Sequence, residues 1–182
     1  PYKNYTIGIA PTLYNMKEEP IYDSFGVDTG EKFGYGAKII PVALARKFGD
    51  LAVGVAGKSY SEDIGGQASA TTAFDFGAIY KLDRLSFGAA MQNLGGKVFD
   101  YNVPQVLRIG AAYNDAKYSA AAELKKEGED KASIGFGGSY DIDKMIKLRG
   151  GWRLKDEFGG ITFGLGMEFK GIYFDYAFLS YG

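Results

Sequence analysis

The 182-residue chain contains no cysteine and no histidine. Without thiols it has no disulfide scaffold and no thiolate metal site. Without imidazole it lacks the commonest metal ligand and the Ser-His and Cys-His arrangements of nucleophilic catalysis. The formal net charge is -1, which offers no basic stripe for nucleic acid. No apolar run approaches the roughly 18 residues of a transmembrane helix. The mean hydropathy of -0.14 suits a water-soluble protein. It suits a membrane β-barrel equally, because only alternate residues of such a strand face lipid.

What the chain does have is 27 Gly, 14 Tyr and 13 Phe beside a single Trp. The organising stretch is 74–96, FDFGAIYKLDRLSFGAAMQNLGG, which reads as two strands around a tight turn. Phe74, Phe76, Ala78 and Tyr80 alternate with Asp75, Gly77, Ile79 and Lys81; Leu85, Phe87, Ala89 and Met91 alternate with Ser86, Gly88, Ala90 and Gln92. A soluble sandwich also alternates. Here one side is large and aromatic while the other is small with sparse charge, as in a barrel wall with hydrocarbon outside and a polar interior.

The same hairpin repeats, and no segment has a helical period. About eleven strands of the length a tilted membrane strand needs are expected at 5–16, 33–47, 51–61, 69–81, 85–94, 105–113, 117–126, 131–141, 145–155, 160–169 and 171–180. Short connections (48–50, 82–84, 114–116, 142–144 and 170) alternate with longer ones (17–32, 62–68, 95–104, 127–130 and 156–159). That sorting matches outer-membrane barrels, which have short turns on one side and long loops on the other. The expected fold class is all-β, an antiparallel up-and-down transmembrane β-barrel formed as one domain. An odd strand count, against the even counts of single-chain bacterial barrels, and the absence of a signal peptide make the chain look like a fragment.

With 106–114 (VLRIGAAYN), the segments FDFGAIY, LSFGAAMQNLGG and LRIGAAY resemble, in order and spacing, the PorV/PorQ-type outer-membrane proteins, relatives of FadL-like barrels. KLRGGWR (147–153), ITFGLGMEF (161–169) and YFDYAFLSYG (173–182) fit the closing part of that family, and QNLGG is the most distinctive piece. The resemblance implies a fourteen-stranded barrel in the bacterial outer membrane. On that comparison this chain lacks an N-terminal segment, the first two strands and the last one.

Parity places Lys58, Asp75, Arg108, Glu123, Lys147, Arg149, Arg153, Glu168 and Asp175 on the inward side. They could form a selectivity lining or an acid–base pair; Glu168 and Asp175 could serve glycoside chemistry if suitably spaced. The simpler reading is a network of ion pairs filling the lumen, with Arg149 pairing with Glu123 or Glu168. Asp141-Ile142-Asp143 lacks the Gly and closing Glu of a calcium loop and reads as a turn. Trp152 faces outward as an interfacial anchor.

Pro11 and Pro41 fall near the middle of sequence-adjacent strands. Proline cannot donate to a ladder and belongs at edges or bulges. Their parity with Ile9 and Leu13, and with Ile39 and Ala43, puts both outward at one depth. A bulge, a kink or a weakened seam in the wall follows.

No enzyme activity, cofactor or metal is expected. Three function classes remain: a protein-export partner or surface-attachment platform, which the resemblance favours; a FadL-like passage for hydrophobic molecules; and a soluble lipid-binding calyx. The corresponding partners are outer-membrane lipid, other secretion or surface proteins, or a hydrophobic ligand.

Overall fold

The computed structural model describes residues 4–143, 145–154 and 159–180. All regular structure in it is β. The strands are β1 (Tyr5–Ile9), β2 (Thr12–Tyr22), β3 (Asp28–Phe48), β4 (Leu51–Ile64), β5 (Gln67–Leu82), β6 (Leu85–Leu94), β7 (Lys97–Val98), β8 (Tyr101–Asn102), β9 (Val106–Asn114), β10 (Tyr118–Glu127), β11 (Ser133–Asp141), β12 (Ile146–Leu154), β13 (Ile161–Phe169) and β14 (Ile172–Leu179). The main sheet has the hydrogen-bonded order β1-β3-β4-β5-β6-β9-β10-β11-β12-β13-β14, with β2 also paired to β3; β7 and β8 form a separate two-stranded sheet. This is the meander expected from the repeated hairpin.

The chain divides into two compact units. One comprises the residues up to Lys47, Val53–Phe76 and Gln92–Gln105; the other comprises Phe48–Ala52, Gly77–Met91 and the residues from Val106 onward.

In the second unit the strands are short and regular. β9 to β14 contain 9, 10, 9, 9, 9 and 8 residues, close to the roughly 9–11 that a tilted strand needs to cross a bilayer. Their antiparallel registers are unbroken. Tight turns suit the right-handed twist when φ is positive at both central residues, and Lys170-Gly171 between β13 and β14 meets this with φ of 49° and 81°. The loop expected at 156–159 lies almost wholly outside the described residues, and so does Lys144 of the 142–144 turn.

The first unit departs from the expected boundaries. The segment 17–32 is mostly strand: β2 runs on to Tyr22, β3 starts at Asp28, and a turn closed by Asp23 N to Val27 O (2.9 Å) joins them. The segment 62–68 is a Gly65-Gly66 turn with φ of 59° and 85° between continued strands. β3 has 21 residues, about 70 Å at roughly 3.4 Å each, far more than a bilayer requires. Segments that read as loops are therefore strand extensions.

The expected strand 5–16 is broken in two. β1 pairs with β3 up to Ile9↔Val42, and β2 resumes at Thr12↔Ile39. Two residues lie between these rungs on each strand, so register is kept and there is no bulge at the prolines. The irregularities come later, between Met16 and Glu19 and between Pro20 and Tyr22.

Candidate functional site

Paired residues of an antiparallel ladder share a face, so the registers sort the side chains. On one face of β13–β14 lie Phe163↔Phe178, Leu165↔Tyr176 and Met167↔Phe174; on the other lie Thr162↔Leu179, Gly164↔Ala177, Gly166↔Asp175 and Glu168↔Tyr173. The apolar set continues across β12 as Ile146, Leu148 and Trp152, and the polar set as Lys147 and Arg149. Large apolar side chains are exposed throughout, while among the described hydrophobics only Ala73 and Val106 are buried. The accessible surface is 13473 Å², against about 8,600 Å² for a folded soluble protein of this mass. Water is a poor solvent for such a surface.

The polar face of the second unit is a row of ion pairs over a glycine floor. Arg149 Nη1 meets Asp175 Oδ1 at 2.5 Å, reaching across β13 from β12 to β14. Gly164 and Gly166 leave that path open, since a Cβ on Gly166 would lie 2.9 Å from Asp175 Oδ1. The partner of Arg149 is thus neither Glu123 nor Glu168. Asp175 was hidden because it stands two strands away and is reached only over side-chain-free residues. Glu123 accepts from Arg108 Nη1 at 2.9 Å, diagonally past Gly110. Glu168 accepts from the Tyr173 hydroxyl at 3.0 Å.

Lys147 Nζ forms an ion pair with the shielded Asp141 Oδ1 at 3.2 Å. Arg153 stands opposite Gly135, in one row with Glu123. A recess of about 330 Å³ opens there, with Gly135, Gly137, Gly151, Arg153 and Thr162 in its lining. At the turn beyond β5, Arg84 pairs with Asp115 at 2.7 Å and donates to the Tyr113 hydroxyl at 3.3 Å; these contacts, the hydroxyl first, raise the guanidinium pKa.

The first unit holds the most shielded pair. Lys58 Nζ and Asp75 Oδ2 are 2.8 Å apart, with side chains only 13% and 18% exposed. Sequence parity brought these two to one side but missed what joins them. Asn93 Oδ1 accepts from Lys58 Nζ (2.6 Å) and from the Tyr60 hydroxyl (2.9 Å). Asn93 Nδ2 donates to Pro104 O (2.8 Å), and its backbone N–H donates to Asp75 Oδ1 (2.9 Å). Asn93 also has a φ of 62°, a left-handed conformation that asparagine tolerates better than most residues. The available signal was QNLGG, where an asparagine and two glycines end a strand.

The prolines do not share a face. Continuing the register from Ile9↔Val42 and Thr12↔Ile39 puts Pro11 opposite Ile40 and Pro41 opposite Ala10. They are on adjacent rungs, but Pro11 points with the exposed Ile9, Leu13, Val42 and Leu44, and Pro41 with the less exposed Ala43 and Ala45. The run Ile39-Ile40-Pro41-Val42-Ala43-Leu44-Ala45 is apolar at both parities, so alternation alone does not orient it.

The chemistry of the polar face is that of paired charges. Glu168 and Asp175 each have a partner of their own. Among the described residues no group of three or more acidic side chains could hold a metal ion. No helix is long and apolar enough to cross a membrane, which does not bear on crossing by strands.

No family model matches this sequence, and no curated protein matches it. Solved structures do. The toluene transporter TbuX of Ralstonia pickettii superposes with a TM-score of 0.66 at 14% identity, over 96% of this chain and 72% of that one. The toluene transporter TodX of Pseudomonas putida gives a TM-score of 0.62 at 11% identity, over 93% of this chain and 72% of that one. At such identities the likeness is one of fold: the chain is built on the antiparallel up-and-down transmembrane β-barrel plan that these two transporters share.

Proposed function

We propose that the protein is a wall-forming part of a bacterial outer-membrane barrel that passes small hydrophobic molecules, with no catalytic role. One observation carries the reading: a sheet whose exposed face is apolar and whose other face is ion-paired and glycine-floored, on the fold of two toluene transporters. Hydrocarbon is the solvent that suits the first face. The second is a polar lining whose glycines leave space along its rows. The exposed apolar area argues against the soluble calyx.

The break at Ala10-Pro11 favours passage over export: Lys47 N–H donates to Asn4 O, so the alternating hydrogen-bonded rungs include Ala10 and Pro41, and the donor missing there is that of Pro41. Proline removes an N–H from the ladder, and an unpaired carbonyl facing hydrocarbon costs several kcal/mol unless it is satisfied. A gap that keeps register inside an apolar run is a place where the wall is weak, as a sideways exit to the bilayer requires.

The test is expression of the full-length protein in a bacterium that takes up monoaromatic hydrocarbons slowly. Toluene entry across the outer membrane should accelerate, and Pro41→Ala, which restores the N–H missing opposite the Ala10 carbonyl, should slow it again. Unaccelerated entry, with a secreted protein co-purifying instead, would overturn this reading in favour of export.

A further inference from the structure

The segment between β6 and β9 does not leave the sheet as an open loop. After Asn93, Gly95 is also left-handed (φ 86°), and Phe99 and Asp100 (φ 47° and 66°) turn the β7–β8 hairpin. Lys97 N–H donates to Thr71 Oγ1 at 3.1 Å, and Phe99 N–H donates to Ser69 Oγ at 3.0 Å. Val103 N–H returns to Gly96 O at 2.9 Å. A Cβ on Gly96 would meet the side chains of Val103 at 3.0 Å and Ala73 at 3.1 Å.

Ser69, Thr71, Ala73 and Asp75 alternate along β5 with Phe74 and Phe76, which are exposed on the opposite face. The hairpin therefore lies across the polar face of β5, and Ala73 beneath it is 0% exposed. A two-stranded hairpin alone is marginal, so its order depends on these ties.

We propose that Asn93 is the pin of a latch that holds residues 94–104 folded over the polar face, and that this segment sets the cross-section open to permeating molecules. The inference rests on the reading that this face lines a passage. Asn93 is suited to the task because one residue clips both ends of the segment: its Nδ2 holds the Pro104 carbonyl at the far end, while its backbone N–H holds Asp75 and its Oδ1 holds Lys58 and Tyr60 on the wall. Lys58, Asp75 and Tyr60 are positioning residues for the constriction. Losing one partner of a shielded polar cluster leaves the others unpaired, which costs more than an exposed bond would. Hence Asn93→Ala removes the ties to Pro104, Lys58 and Tyr60 together and leaves only the backbone N–H on Asp75.

The test is single-channel conductance in planar bilayers, with toluene uptake measured in parallel on cells carrying the same full-length variants. Asn93→Ala should raise and destabilise the conductance, toward the level reached when residues 97–102 are replaced by Gly-Gly. Asn93→Asp keeps the side-chain acceptor for Lys58 and Tyr60 but loses the donation to Pro104 and sets a second carboxylate in the cluster with Asp75, so its conductance should also rise above wild type. If Asn93→Ala does not fold, judged by heat-dependent electrophoretic mobility, Asn93→Asp and the hairpin replacement carry the same comparison. Wild-type conductance in the replacement and in whichever Asn93 variant folds would overturn the latch. If the variants open the channel while wild-type cells take up no toluene, the latch stands and the hydrophobic-passage reading fails.

Discussion

The strands β9–β14 and the strands β1–β5 are made from similar residues and behave differently. The first group keeps strict alternation, unbroken register and near-minimal spanning length. The second has strands of up to 21 residues, a two-residue gap at Ala10-Pro11 and two register shifts farther along β2. Where both faces have fixed solvents, period and register are held tightly, because a one-residue slip exchanges the faces. Where a strand is longer than the bilayer needs, both faces of the excess meet water and the constraint relaxes. Regularity is the signature of wall, and irregularity marks the places free to take on other work.

The largest effect should come from attacking the regular region on its apolar face. Leu165→Arg, beside Leu148 and Tyr176, should cost about 2–4 kcal/mol near mid-wall, measured by urea unfolding in lipid vesicles. Thr162→Arg on the polar face of the same strand should cost clearly less. Equal losses would erase the distinction between faces.

Two glycines on opposite faces of β11 sharpen the same comparison. A Cβ on Gly138 would press to 2.9 Å on the Ser119 carbonyl, whereas one on Gly137 would stay 3.6 Å from the nearest backbone oxygen. Gly138→Ala should therefore destabilise by about 1–3 kcal/mol, and Gly137→Ala by no more than about 0.5 kcal/mol. Adjacent residues of one strand, one on each face, would thus differ through how closely a neighbouring backbone approaches.

The smallest effects belong to the ion pairs, and here the irregular region should prevail. A double-mutant cycle with Arg149→Met and Asp175→Asn should give at most about 1 kcal/mol, because both side chains are half exposed (46% and 61%) and solvent screens them. The cycle with Lys58→Met and Asp75→Asn should give more, since that pair is shielded and tied to Asn93. A smaller coupling for Lys58–Asp75 would contradict its placement in a shielded cluster.

Much of the wall was legible in the sequence, because Phe163, Leu165 and Met167 can alternate with Thr162, Gly164 and Gly166 in only one way. Tight turns were legible where glycine or a short polar residue interrupts that period, as at Lys170-Gly171. The extension of β2 and β3 was not, because residues 17–32 have lost the alternation that hydrocarbon imposes. The face of Pro41 was not, since its neighbours are apolar on both sides. The partner of Arg149 depended on register carried over two strands, which local pattern does not contain. The Asn93 cluster was least visible of all: it joins β4, β5, β6 and the segment after β8, and only its left-handed turn left a trace in the residues.

The central claim is that alternate residues of β13 and β14 face hydrocarbon and a polar interior. The native chain has no cysteine, so single cysteines can be placed in turn at 162–167 and 173–178, spin-labelled, and probed in lipid vesicles with oxygen and a water-soluble nickel complex. The account predicts period-two accessibility, with oxygen favoured at Phe163, Leu165, Met167, Phe174, Tyr176 and Phe178 and nickel at the residues between them. Uniform nickel accessibility at both parities would contradict it.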